Sequence, residues 1–213
     1  MNPLENFIKL ESKVKSLSDK TKIIVVTKTF DINVIQPILD LGHIDFGENR
    51  VNEASQKWKN ILNSKKINLH LIGKLQSNKV KDALLTFNYI HSLDSIKLAE
   101  QFHKYEIELK KNAKYFIQIN IGNESQKGGI HEDYLLEFLK VCKVNYNLNV
   151  IGLMCIPPQN INPISFFDRM HNLAKIHNLA ELSMGMSEDY VSAIDCGSTY
   201  VRIGSLIFGS RKN

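Results

Sequence analysis

The sequence predicts a closed (β/α)8 barrel, a TIM barrel, as a single domain over residues 1–213 with one extra helix at its N-terminus. Three observations point there. Eight short apolar runs recur along the 213 residues at about 25-residue spacing, and longer segments with helical signals separate them. The runs read as continuous apolar stretches, as strands of a parallel sheet covered by helices do, and lack the strict alternation of a half-solvated sheet. An open doubly wound sheet shares this βα rhythm, and strand count alone leaves it open as the alternative.

Each element follows in order. Residues 4–17 place Leu4, Phe7, Ile8, Val14 and Leu17 near one face at helical spacing, which predicts the opening amphipathic helix. Strands are predicted over residues 23–26, 44–46, 69–72, 87–90, 115–121, 150–154, 181–184 and 200–203. Asp94 reads as the N-cap of a helix carrying Ile96, Ala99 and Phe102. Ser187 reads as another, with Glu188 and Asp189 as first-turn acids suited to the helix dipole.

Composition narrows the class. With 43% apolar and 23% charged residues the chain is neither disordered nor fibrous, and its length suffices for one sizeable core. The net charge of +5 is spread among acids without a basic block, so no nucleic-acid partner is predicted. Cys142, Cys155 and Cys196 form no metal-ligand spacing, and an odd number of cysteines suits reduced thiols, so a cytoplasmic location is expected. No apolar stretch suited to a signal peptide opens the chain, and no window approaches the roughly 18 apolar residues of a membrane span, so no membrane partner is expected. No histidine pair has zinc-site spacing, so no metal is expected.

In a barrel the chemistry lies at the carboxyl ends of the strands. Lys28 follows the first run, where it either snorkels to the rim or has its amine used as a nucleophile toward a carbonyl. After the eighth run comes Arg202-Ile203-Gly204-Ser205, where a glycine lets backbone approach an anion and a short helix start offers free amides to a phosphate. Gly204 as a plain turn glycine is the competing reading. Ser183 on the seventh run could add a hydroxyl to the same anion. An amine and a phosphate cradle in one mouth together suggest pyridoxal 5′-phosphate. Arg202, which only donates, would leave a pyridine nitrogen facing it unprotonated and the ring a weak electron sink. Pairing of Arg202 with Glu48 or Asp45 is the alternative. Gly122 to Gly129 looks superficially like a P-loop but lacks the required glycine and the Ser or Thr after its lysine; it reads as a loop after the fifth strand, a candidate lid.

Val25-Val26-Thr27-Lys28, Phe46-Gly47-Glu48-Asn49, the block from His70 to Lys79, Gly152-Leu153-Met154, Leu182-Ser183-Met184-Gly185-Met186-Ser187 and the block from Gly197 to Gly204 closely resemble the pyridoxal phosphate homeostasis protein family. The resemblance implies a barrel related to the N-terminal domain of alanine racemase, with the cofactor held as a Schiff base on Lys28. It implies Asn49 beside the ring, Arg202 near the pyridine nitrogen, and Ser183, Gly204 and Ser205 around the phosphate. It further implies a role in cellular vitamin B6 and amino-acid homeostasis without established turnover, and pyridoxal-dependent apoenzymes as exchange partners. Thr27 and Phe30 depart from the residues commonest there. Related racemases take a second acid/base, a tyrosine, from an added β-domain; 213 residues leave no length for one, so a monomeric carrier is expected and a low-activity racemase-like enzyme is the alternative.

Overall fold

In the computed structural model, which describes residues 2–62 and 66–209, eight parallel strands close into a barrel in sequence order. They are β1 Lys22–Val26, β2 Asp45–Glu48, β3 Asn68–Leu71, β4 Tyr89–Leu93, β5 Lys114–Ile119, β6 Val150–Cys155, β7 Glu181–Ser183 and β8 Tyr200–Ile203. β8 pairs directly with β1, Arg202 opposite Ile24 and Ile203 opposite Val25. The open sheet is thereby excluded.

Seven helices occupy the crossovers: α2 Ile32–Asp40, α3 Val51–Leu62, α4 Val80–Thr86, α5 Ile96–Leu109, α6 Leu135–Lys140, α7 Ile164–Ile176 and α8 Tyr190–Asp195, and α9 Ser205–Phe208 follows β8. The extra helix, α1 Pro3–Leu17, starts cleanly because the Asn2 side chain accepts the Leu4 amide and proline sits where no amide donor is needed. It buries Phe7, Leu10 and Val14. Ile8, expected inward, is 46% exposed, because the buried stripe runs through Leu10 at i+3 from Phe7. The Asn6 side-chain amide donates to the Ile207 carbonyl (3.0 Å) and fastens α1 to α9.

Two apolar layers result. The larger lies between strands and helices and contains Trp58, Phe46, Phe102 and Phe167. The smaller fills the barrel interior with Ile24, Tyr89, Phe116, Met154 and Tyr200. Burial pushes the thiols of Cys142 and Cys155 up to about 12, so both are inert apolar fillers.

Element ends differ from the sequence expectation where charged residues are buried. β2 runs from Asp45 to Glu48, all four residues buried, while Ile44 lies outside the strand and is exposed. The cap of α5 is Ser95, whose hydroxyl accepts the Leu98 amide; Asp94 instead accepts the Gly129 amide at 3.2 Å. α8 begins at Tyr190, since residues 187–189 form a turn in which Asp189 Oδ1 accepts the Met186 amide at 2.6 Å.

Candidate functional site

The turn after β1 carries Lys28 and is shaped by side chains from neighbouring elements. Lys57 of α3 donates from Nζ to the carbonyls of Thr27 (2.7 Å) and Phe30 (2.9 Å), and its third partner is Glu48 Oε1 at 2.6 Å. That same oxygen accepts the Thr27 hydroxyl (2.6 Å) and the Trp58 indole N–H (3.0 Å). With side chains 14% and 1% exposed, Lys57 and Glu48 form a buried ion pair whose remaining hydrogen-bonding capacity is used on the turn. The clamp holds a strained segment: Thr29 has φ +70°, a left-handed conformation unusual for a β-branched residue.

The segment at the end of β8 is held by main-chain carbonyls and one hydroxyl. Arg202 is buried and donates from Nη1 to the Ser183 carbonyl (2.6 Å) and hydroxyl (2.8 Å), and from Nη2 to the Cys155 carbonyl (2.9 Å). Burial lowers its proton affinity from the ordinary arginine value, while the nearby Asp189 carboxylate acts in the opposite direction. Glu48 is engaged by Lys57, and Asp45 by His70 and Asn68, so the alternative pairing of Arg202 with either carboxylate is not realised. α9 starts at Ser205, and its first turn leaves the amides of Ser205 and Leu206 without acceptors in their own helix. Gly204 has φ −127°, open to any residue, and a Cβ there would meet Val26 at 3.4 Å. Its local geometry therefore does not demand glycine. Phe30 and Phe208 stack at 4.5 Å and join the first turn to the last.

Between these turns lies a cavity of about 770 Å³ at the carboxyl mouth, lined by Lys28, Asn49, Arg202, Gly204 and Ser205 among others. Val26, Ile72 and Ile156 supply apolar wall, and residues 157–163 and 186–189 line it as well. Asn49 is seated by a close approach that glycine alone allows, since a Cβ at Gly73 would lie 2.3 Å from the Asn49 carbonyl oxygen. A smaller space of about 320 Å³ shares Asn49, Ile72 and Ile156 with it and extends past Lys74 and Lys127. The loop read as a lid is pinned: Asn120 exchanges hydrogen bonds with the Glu124 main chain, and Lys127 donates to the Pro157 carbonyl at 2.9 Å.

Ser183 departs from the arrangement read from sequence. It is fully buried within the barrel, does not line the cavity, and has its hydroxyl engaged by Arg202 and His91. Strand periodicity explains this, because β7 ends at Ser183 and the mouth begins after it. Ser187, in the following turn, does line the cavity. The residues present suit pyridoxal 5′-phosphate: an amine for the aldehyde, hydroxyls and helix-start amides for a phosphate, and a donor-only guanidinium.

Residues 5–212 match the family described as alanine racemase, N-terminal domain. Pyridoxal phosphate homeostasis proteins of Synechocystis and Aquifex aeolicus are 36% and 34% identical, the first over 93% of this chain and 95% of the relative, the second over the whole of both. PipY of Synechococcus elongatus, solved without and with PLP bound, superimposes with TM-scores of 0.91 and 0.87 at 31% identity, covering 97% of this chain and 99% and 100% of PipY. This chain belongs to the pyridoxal phosphate homeostasis protein family. In the sequence, Lys57, Ser187 and Gly73 carried no site role, although Ser187 and Gly73 lie in blocks that carry the resemblance. The signal for Ser187 was present in the Met184-Gly185-Met186-Ser187 run; Lys57 had none, since a lysine among the polar residues of α3 reads as solvated.

Proposed function

We propose that this protein binds pyridoxal 5′-phosphate through the Lys28 amine and serves in vitamin B6 homeostasis as a cytoplasmic carrier for pyridoxal-dependent apoenzymes. The observation that carries the reading is the meeting of Lys28 with Arg202, Gly204 and Ser205 around one cavity, although some 174 residues separate the two segments along the chain. The full-length similarity to homeostasis proteins, and to a relative solved with PLP bound, supports it.

Within this reading each group has one task. Lys28 supplies the amine, Asn49 lies beside the ring, and Arg202 faces the pyridine nitrogen. Ser205 and Gly204 meet the phosphate, with Ser187 in place of Ser183. The cofactor, when bound, supplies an electron sink, which a donor-only guanidinium at its nitrogen keeps weak. Weak activation favours storage over turnover.

The test is borohydride reduction of protein incubated with the cofactor, followed by peptide mapping. Label confined to the Lys28 peptide is expected; label elsewhere, or none, would overturn the reading. Proton exchange at the α-carbon of single-enantiomer amino acids separates carrier from racemase, and rapid exchange would favour the racemase.

A further inference from the structure

A chain of five polar groups crosses the barrel interior from its floor to the cavity, and the cavity lining accounts for only its last member. Asp45 Oδ1 lies 3.1 Å from His70 Nε2. His70 Nδ1 lies 2.9 Å from His91 Nε2, and His91 Nδ1 lies 2.9 Å from Ser183 Oγ. Arg202 Nη1 completes it at 2.8 Å from the same hydroxyl oxygen. The two imidazoles and Ser183 are essentially inaccessible to solvent.

The two ends dictate the direction of every bond. Asp45, a carboxylate, only accepts, so neutral His70 donates to it from Nε2 and accepts at a bare Nδ1 from His91 Nε2–H. Neutral His91 is then bare at Nδ1 and accepts the Ser183 hydroxyl proton. A guanidinium only donates, so Ser183 Oγ accepts from Arg202. Every donor and acceptor is matched with both rings uncharged.

We infer that His91 is a positioning residue for Arg202, acting through the Ser183 hydroxyl, and that it does so as the neutral Nε2–H tautomer. The orientation of the guanidinium over the cavity is thus set partly from the barrel floor. A protonated His91 would turn an N–H toward the Ser183 hydroxyl and leave the serine proton without its acceptor. The charged and titratable surroundings oppose it as well. His91 meets His70 on β3 and Arg202 on β8, and its ring stacks on Phe116 of β5 at 4.2 Å. His70 meets Asp45 on β2, with Lys22 and His43 further off, and stacks on Tyr89 of β4 at 4.2 Å. Burial lowers the proton affinity of both imidazoles.

The directed chain stands on its own geometry, whereas its effect on ligand affinity rests on the cofactor reading above. Nitrogen-15 NMR of the native, ligand-free protein reads the first part: Nε2-protonated, uncharged rings for His70 and His91 at pH 7 are expected. A cationic ring or an Nδ1–H tautomer at either position would overturn the inference. The second part is read by equilibrium binding of pyridoxal 5′-phosphate to Ser183→Ala, His91→Phe and the double variant, with borohydride labelling of Lys28 run on each. Loss of one hydrogen bond predicts affinity about fivefold weaker in each single variant. The double variant is expected to be no weaker than Ser183→Ala alone, because His91 acts through that hydroxyl. Full additivity would overturn the positioning role. If His91→Phe does not fold, unchanged affinity in Ser183→Ala would overturn it too. Absent labelling in the unmodified protein would remove the cofactor reading and leave the NMR result to decide the chain.

Discussion

The first and last turns of the barrel mouth face the same cavity but are held in different ways. Thr27 to Phe30 is fixed from outside, by the Lys57 ammonium and Glu48 carboxylate reaching in from α3 and β2. The Arg202 segment is fixed from within, by carbonyl oxygens of β6 and β7, by the Ser183 hydroxyl and by the first turn of α9. The Lys28 turn thus depends on side chains brought in by other elements and is open to mutation at a distance, whereas the Arg202 segment depends more on the backbone path of β6 and β7.

The largest effect tests the chemistry proposed for the two turns. Lys28→Ala is expected to abolish covalent capture of pyridoxal 5′-phosphate, read by loss of borohydride label. Next comes the external clamp. Lys57→Met leaves the Glu48 carboxylate buried without its cation and two turn carbonyls without a donor, so chemical denaturation should report a loss of about 3 kcal/mol. Lys57→Met combined with Glu48→Gln should recover part of it; no recovery would show that the pair does not act as a unit.

Proton linkage gives the next effect. Burial lowers the proton affinity of His43, His70 and His91 below the ordinary value of 6.5. The unfolded chain therefore binds more protons than the folded one once the pH drops below 6.5. Stability from these groups is complete above that value and is lost as the pH falls, by up to about 1.4 kcal/mol per pH unit for each group. Denaturation midpoints measured from pH 7 to pH 5 should fall accordingly, and a flat profile would contradict buried neutral imidazoles. Asp45, held below 3.8 against the opposing cost of burial by the hydrogen bond it accepts from His70, adds a separate loss at lower pH.

Two glycines give the smallest effects and sharpen the contrast. Gly73→Ala drives a methyl into the Asn49 carbonyl at 2.3 Å and should cost about 1–3 kcal/mol with weaker ligand binding. Gly204→Ala meets Val26 only at 3.4 Å and should change stability by less than about 0.5 kcal/mol. Equal costs would mean that the last turn is as tightly constrained as the seat of Asn49.

Much of this was legible in the sequence, and the illegible part has a common cause. The strands announced themselves because both faces of a covered parallel barrel are apolar, and Lys28 and the Arg202 to Ser205 segment followed from the rule that barrel mouths lie beyond strand ends. What stayed hidden were pairings between residues far apart in the chain. Lys57 with Glu48, and His70 with Asp45, leave no mark in local periodicity, and the buried charges of β2 displaced its apparent boundary. Ser183 and Ser187 lie four residues apart in one motif, and only the end point of β7 separates a hydroxyl inside the barrel from one at the cavity.

The stacked rings of Phe30 and Phe208 sit where the barrel closes on itself, at the seam between β1 and β8. A polypeptide emerging from the ribosome acquires Lys28 early, yet the Arg202 to Ser205 side of the cavity does not exist until β8 has been made and paired with β1. On the proposed reading, capture of a phosphorylated aldehyde waits for completion of the ring.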